Sequence, residues 1–140
     1  MLNYFQNRPE LVSVAMQAGN LLAKRLFSDS KLLMDYTLIA ATLYSPLEYG
    51  TVGLSEEMAN DQYGENNIEI YHSYYETLEF LVPQKNTKHC YLKVICLIHD
   101  DQKVLGMHFI GPNAGEVIQG FAAAMKYVFE RLIQILLFFY

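Results

Sequence analysis

Two apolar runs, HCYLKVICLI (89–98) and KVLGMHFI (103–110), are separated only by His99-Asp100-Asp101-Gln102. Strand-forming runs joined by so short a polar link predict an antiparallel β-hairpin, and the rest of the chain has to fold around it. Upstream, NIEIYHSYYETLEF alternates early and then turns aromatic, which predicts a third strand. Short strands are expected around Thr42-Leu43-Tyr44, ahead of Ser45-Pro46, and between Gly50 and Gly53. Between these groups lies EEMANDQYG, a short helix with Ser55 as N-cap, two acids in its first turn and Gly64 as its stop.

Helices close both ends. Residues 10–27 place Val14, Ala18, Leu21, Leu22 and Leu26 at helical spacing, with Lys24 and Arg25 where a helix C-terminus favours cations. Residues 28–35 read as a connector, and a second long helix starts at 113. The order αββαβββα predicts an α+β domain, an antiparallel sheet with helices on one side.

Composition narrows the function. A chain of 140 residues, 52% hydrophobic and 18% charged, can bury a core and is not a disordered polymer. Its net charge is −5 and its ten Lys and Arg are scattered, so the basic stripe that nucleic-acid binding needs is absent. Met1-Leu2-Asn3 does not begin a secretory signal, and two cysteines make no disulfide scaffold, so a reducing intracellular compartment is expected, cytoplasmic with a mitochondrial form left open. The terminal run ILLFFY (135–140) falls short of the ~20 apolar residues a membrane span requires.

The loop GPNAGEVIQG (111–120) could cradle phosphate or only start a helix. A P-loop needs lysine and a hydroxyl residue after its second glycine, but Glu116 and Val117 follow Gly115. The spacing of Gly111, Gly115 and Gly120 also misses G-x-G-x-x-G, and an acid at the helix N-terminus repels phosphate. Asn113 instead fits an N-cap, with Glu116 as its capping-box partner. The helix that follows carries Val117, Phe121, Ala124 and Val128 on one stripe and Ile118, Ala122, Met125 and Phe129 on the next. That apolar width predicts burial on two sides, by the chain's own sheet and by a second subunit.

Chemistry-bearing residues are sparse. On one strand Cys90 and Cys96 lie roughly 20 Å apart, too far to pair, and share a face with Leu92 and Val94 as buried thiols do. His72, His89, His99 and His108 form no CxxC, HxxxH or HExxH spacing, so no metal site is expected. His108 reads as a satisfied sheet histidine, and the tyrosines of YHSYYE as packing or interface residues. No GxSxG is present, and no catalytic set is expected from this chain.

SPLEYGTVGLSEEMA, NIEIYHSYY, CYLKVIC and GMHFIGPNAGEVIQGFAAAMK, in that order, closely resemble the interface domain of animal-type thioredoxin reductases. These are flavoenzymes related to glutathione reductase and thioredoxin-glutathione reductase. RPELVSVAMQAGNLLAKRL resembles the family helix that ends the flavin-binding portion. The resemblance implies a division into 1–35 (end of the flavin domain), 36–126 (interface domain) and 127–140, a non-family apolar tail. It implies a parent homodimer that uses NADPH and FAD to reduce thioredoxin disulfides.

By the same resemblance the backbone of Glu10, Leu11 and Val12 lies beside the flavin, and Val117, Ile118, Phe121, Ala122 and Met125 belong to the dimer interface. Val12-Ser13 stands where the family has Thr-Pro, so only backbone contacts carry over. The FAD and NADPH fingerprints, the redox cysteine pair and the His-Pro segment of the general acid have no counterpart in these residues. The implied protein is a truncated dimerisation domain, inactive alone and holding no cofactor by itself. The alternative is a module that docks on full-length subunits as a heterodimer and blocks productive pairing.

Overall fold

The computed structural model describes residues 9–77, 82 and 90–127. The chain divides into two compact units, residues 1–39 and 40–140. The first contains helix α1, Val12–Phe27. Its N-cap Leu11 is extended and offers no side-chain cap, while Lys24 and Arg25 sit in the last turn as the sequence predicts. Val14 is its buried side chain, and Leu22 and Leu26 of the predicted stripe are exposed.

The second unit is built on one sheet. Strands β1 (Ala41–Leu43), β2 (Glu48–Gly53), β3 (Ile68–Tyr74), β4 (Tyr91–Leu97) and β5 (Lys103–Gly111) lie in the order β1-β2-β5-β4-β3, every neighbouring pair antiparallel. Helix α2 (Glu56–Tyr63) follows β2, and α3 (Ala114–Tyr127) follows β5. The α+β class, the antiparallel sheet and the element order are those expected from sequence. The hairpin link at 98–102 is as short as its polar residues imply, with Asp101 and Gln102 both at positive φ. His89, residues 78–81 of the aromatic run and the tail from 128 lie outside the described residues.

The helices of this unit do not share one side. Side chains alternate along a strand, and the register assigns each residue to a face. Gly50, Val52, Met107, Phe109 and Val94 are on one face, since Gly50 pairs Phe109 and Met107 pairs both Val52 and Val94. A Cβ on Gly50 would touch Ile118, so α3 covers that face. Thr51, His108 and Lys93 are on the other, where Lys93 pairs with Glu56 of α2. Among the described residues one helix lies on each face of the sheet, with Ala59 closing on Ile68, Ile95 and Leu105 under α2. Element order fixes adjacency but not side, so sequence alone misplaced this detail.

A bulge tightens the α2 side. Ile95 pairs Gly106 and Cys96 pairs Val104, which leaves Leu105 as the extra residue of β5. Its carbonyl accepts a hydrogen bond from Leu54 N at 2.9 Å. The chain leaving β2 runs so close here that any Cβ at position 106 would collide with the Leu54 carbonyl, so glycine is required.

Ser55 caps α2 as predicted, accepting from Met58 N at 3.2 Å, and Gly64 at φ 84° ends it. Ala59 is fully buried at its centre.

Candidate functional site

The glycine loop is a helix start already occupied by an anion. Asn113 sits at φ 57°, and its carbonyl accepts the first helical hydrogen bond, from Val117 N at 3.1 Å. Gly115 N, among the amides a helix N-terminus leaves without a backbone partner, donates to Glu48 Oε2 of β2 at 3.2 Å. A carboxylate at the positive end of the helix dipole holds the place a phosphate would need. Glu48 escaped the sequence reading because it comes from a strand 67 residues away. Only the fold brings it to the loop.

Helix α3 presents its two predicted stripes differently. Ile118, Ala122 and Met125 are buried against the chain's own unit, with Ala114 at the same depth. Val117, Phe121 and Ala124 are only half-buried along the flank. The helix contacts β2, β5 and β1. Position 128 and beyond of both stripes lie outside the described residues.

On the opposite face, the register lays out two polar rows. Tyr49, Ile110, Tyr91 and Tyr74 form one, and Thr51, His108, Lys93 and His72 the next. His108 is enclosed by its own neighbours. The Leu54 carbonyl, 3.2 Å from Nε2, can only accept, so Nε2 carries the proton. Nδ1 then accepts from the Tyr49 hydroxyl at 2.6 Å and faces the Thr51 hydroxyl at 3.1 Å. Burial is the main force holding His108 below the usual imidazole range, countered in part by the Leu54 hydrogen bond. A neutral ring with both nitrogens engaged matches the satisfied sheet histidine expected from sequence. A cavity of about 280 Å³ opens above it, between Tyr49 and Tyr91 and beside Glu57.

The thiols are inert in this setting. Cys90 and Cys96 are free and fully buried. Burial pushes both up, Cys96 to about 12 with help from the Glu69 carboxylate. Tyr71 is also raised to about 12, chiefly by its hydrogen bond to Glu69. Neither cysteine meets the electropositive, partly exposed surroundings that make a thiolate. His72 contacts Tyr91 through Nδ1, and among the described residues no cluster of His, Cys, Asp and Glu is able to hold a metal ion. Also among them, no helix is long and apolar enough to cross a membrane. Of the residues beside α1, Glu10 and Val12 are exposed and Leu11 half-buried.

Comparison with known proteins gives this arrangement a context. Residues 39–131 match the family described as pyridine nucleotide-disulphide oxidoreductase, dimerisation domain. The match runs past Lys126, where the motif resemblance stops. Over 119 residues the chain is 57% identical to thioredoxin reductase 2, mitochondrial, of Drosophila melanogaster, covering 85% of this chain and 23% of that protein. Over 117 residues it is 54% identical to thioredoxin reductase SEP1 of Emiliania huxleyi, covering 84% and 24%. The chain thus spans about a quarter of the length of the curated relatives it matches.

Proposed function

The chain belongs to the pyridine nucleotide-disulphide oxidoreductase dimerisation-domain family, and from that premise we propose that it is the subunit-pairing scaffold of an NADPH-dependent thioredoxin-disulfide reductase. In this reading it carries none of the electron-transfer groups itself. The observation that carries it is the double-sided character of α3: Ile118, Ala122 and Met125 anchor the helix to its own unit, while Val117 and Phe121 keep apolar surface at the flank. A half-exposed aromatic on a helix fixed from behind is a suitable anchor for a second subunit. The buried three residues position the pairing surface, and the half-buried ones meet the partner. That partner is a second copy or a full-length reductase subunit, with thioredoxin as the substrate of the assembled enzyme.

FAD and NADPH follow from the family. Bound flavin supplies the relay between nicotinamide and disulfide. The residues of this chain that fit beside it are Glu10, Leu11 and Val12, through backbone only. The N-cap Leu11 brings no side-chain hydrogen bond to the first-turn amides of α1. We place the chain in the cytoplasm or the mitochondrion, the second in keeping with the mitochondrial relative.

Two measurements test this reading. Purified chain mixed with FAD, NADPH and oxidised thioredoxin is expected to give no turnover and no bound flavin spectrum; either one refutes the scaffold role. Light scattering is expected to show pairing that Phe121→Glu abolishes, since a charge placed in an apolar interface is costly. Unchanged mass in the variant counts against the α3 flank.

A further inference from the structure

On the α2 face a tyrosine and a histidine share a proton in an arrangement that the pairing role does not use. Tyr49 of β2 and His108 of β5 lie on neighbouring strands, and their rings stack with 6.1 Å between centroids and 16° between planes. The Tyr49 hydroxyl donates to Nδ1 at 2.6 Å, within the reach that proton transfer requires. The direction is fixed from the far side of the ring. The Leu54 carbonyl, 3.2 Å from Nε2, only accepts, so Nε2 keeps its proton and Nδ1 stays a lone-pair base.

A phenol that loses one electron becomes a strong acid, so its oxidation is easiest where a base already accepts its hydrogen bond. Three other tyrosines compare less well. Tyr75 donates to the Ile110 carbonyl, which takes up no proton. Tyr71 donates to Glu69, and a carboxylate is a weaker base than imidazole. Tyr91 meets His72 Nδ1 at 2.5 Å, but that contact is exposed, whereas the contact of Tyr49 with His108 is half-buried.

Burial weakens His108 as a base, yet an oxidised phenol is acid enough to protonate it. The Leu54 carbonyl and the carboxylates of Glu57 and Glu56 favour the imidazolium so formed, against Lys93. Tyr49 also lines the cavity of about 280 Å³, which gives a small molecule access to it. Lys93 and Glu57 both line that cavity, so neither charge alone filters what enters.

We propose that Tyr49 is a one-electron redox site, oxidised by a diffusible oxygen-centred radical while His108 takes its proton. The Tyr49 O–H bond breaks, an N–H bond forms at Nδ1, and the electron reduces the incoming radical to its anion. A neutral tyrosyl radical is left beside an imidazolium. The step uses neither flavin nor disulfide and lies on the face opposite α3, so it stands apart from the pairing role.

The test oxidises the 140-residue chain with flash-generated tris(bipyridine)ruthenium(III) and follows the tyrosyl radical by absorbance and electron paramagnetic resonance. Its reference carries Tyr91→Phe, which silences the exposed pair. A fast phase of radical formation, slower in heavy water, is expected there and should vanish on adding Tyr49→Phe. His108→Gln should slow it about a hundredfold, the loss of a positioned base. An amide side chain can keep both hydrogen bonds but takes up no proton, so this variant separates proton transfer from packing. Tyr44→Phe, at an exposed tyrosine, should leave the phase unaltered, and dispersed amide spectra certify that each variant is folded. A fast phase that survives Tyr49→Phe, equal rates in light and heavy water, or an unslowed His108→Gln variant each overturn the proposal.

Discussion

Gly50→Ala should loosen the helix on which the proposed pairing role depends. A Cβ at position 50 would stand 2.8 Å from the Ala114 carbonyl oxygen, 2.9 Å from Ile118 Cγ2 and 3.0 Å from Ile118 Cβ. Ordinary contact begins near 3.4 Å, so the shortfall is roughly half an ångström at all three. None of these atoms is the free end of a flexible chain: one is backbone at the start of α3, and the others belong to a β-branched residue that is fully buried. Relief therefore requires α3 to lift from β2. Overpacking of this kind costs about 1–3 kcal/mol. For a unit of about 100 residues each kcal/mol lowers the midpoint by roughly 4–8 °C, so a fall on the order of 10 °C is expected by circular dichroism. Gly120→Ala on the same helix has nothing within 4 Å of the new methyl and should raise stability by up to ~1 kcal/mol. If Gly50→Ala were neutral or stabilising, the seating of α3 on β2 described above would be wrong.

Three further outcomes are expected. His108 has a folded-state pKa below its unfolded one, so the unfolded chain takes up the proton first; stability is full above about pH 6.5 and falls as pH drops below it. Urea midpoints at pH 7.5 and 5 should converge in His108→Gln relative to the unaltered chain, and an equal gap in both refutes this assignment. Cys90 and Cys96 should react with a thiol reagent at least about tenfold more slowly in the native chain than after denaturation, and rapid native labelling would contradict their burial. Glu48→Ala should cost about 1 kcal/mol by exposing the start of α3, measured in the same melts; no loss would mean that the Gly115 contact contributes nothing.

The parts legible in sequence were those written locally. Ser55 and Gly64 bound α2 because capping is decided within a few residues, and the hairpin at 98–102 because alternation and a polar link suffice. The family resemblance carried the identity, through ordered motifs that no single pattern supplies. What stayed hidden depends on register. The Leu105 bulge, the split of α2 and α3 between the two faces, and the approach of Glu48 to Gly115 each join residues far apart in the chain. Equally hidden were the parallel pairs Tyr49–His108 and Tyr91–His72, since YHSYYE shows aromatic residues but not which strand they lean toward.

Glu48 also decides what kind of protein this loop can serve. A glycine-bearing turn ahead of a helix gains its affinity for phosphate from open amides and the dipole's positive end. Here the Gly115 amide is hydrogen-bonded to a carboxylate, and Glu116 adds a second acid in the first turn. An incoming phosphate would have to displace one negative charge and approach another. The same contact ties α3 to β2 at its first turn, while Ile118, Ala122 and Met125 tie it down along its length. The groups that would build a nucleotide site have been committed to fixing a helix in place, and a rigidly held helix with an apolar flank is what a pairing surface requires.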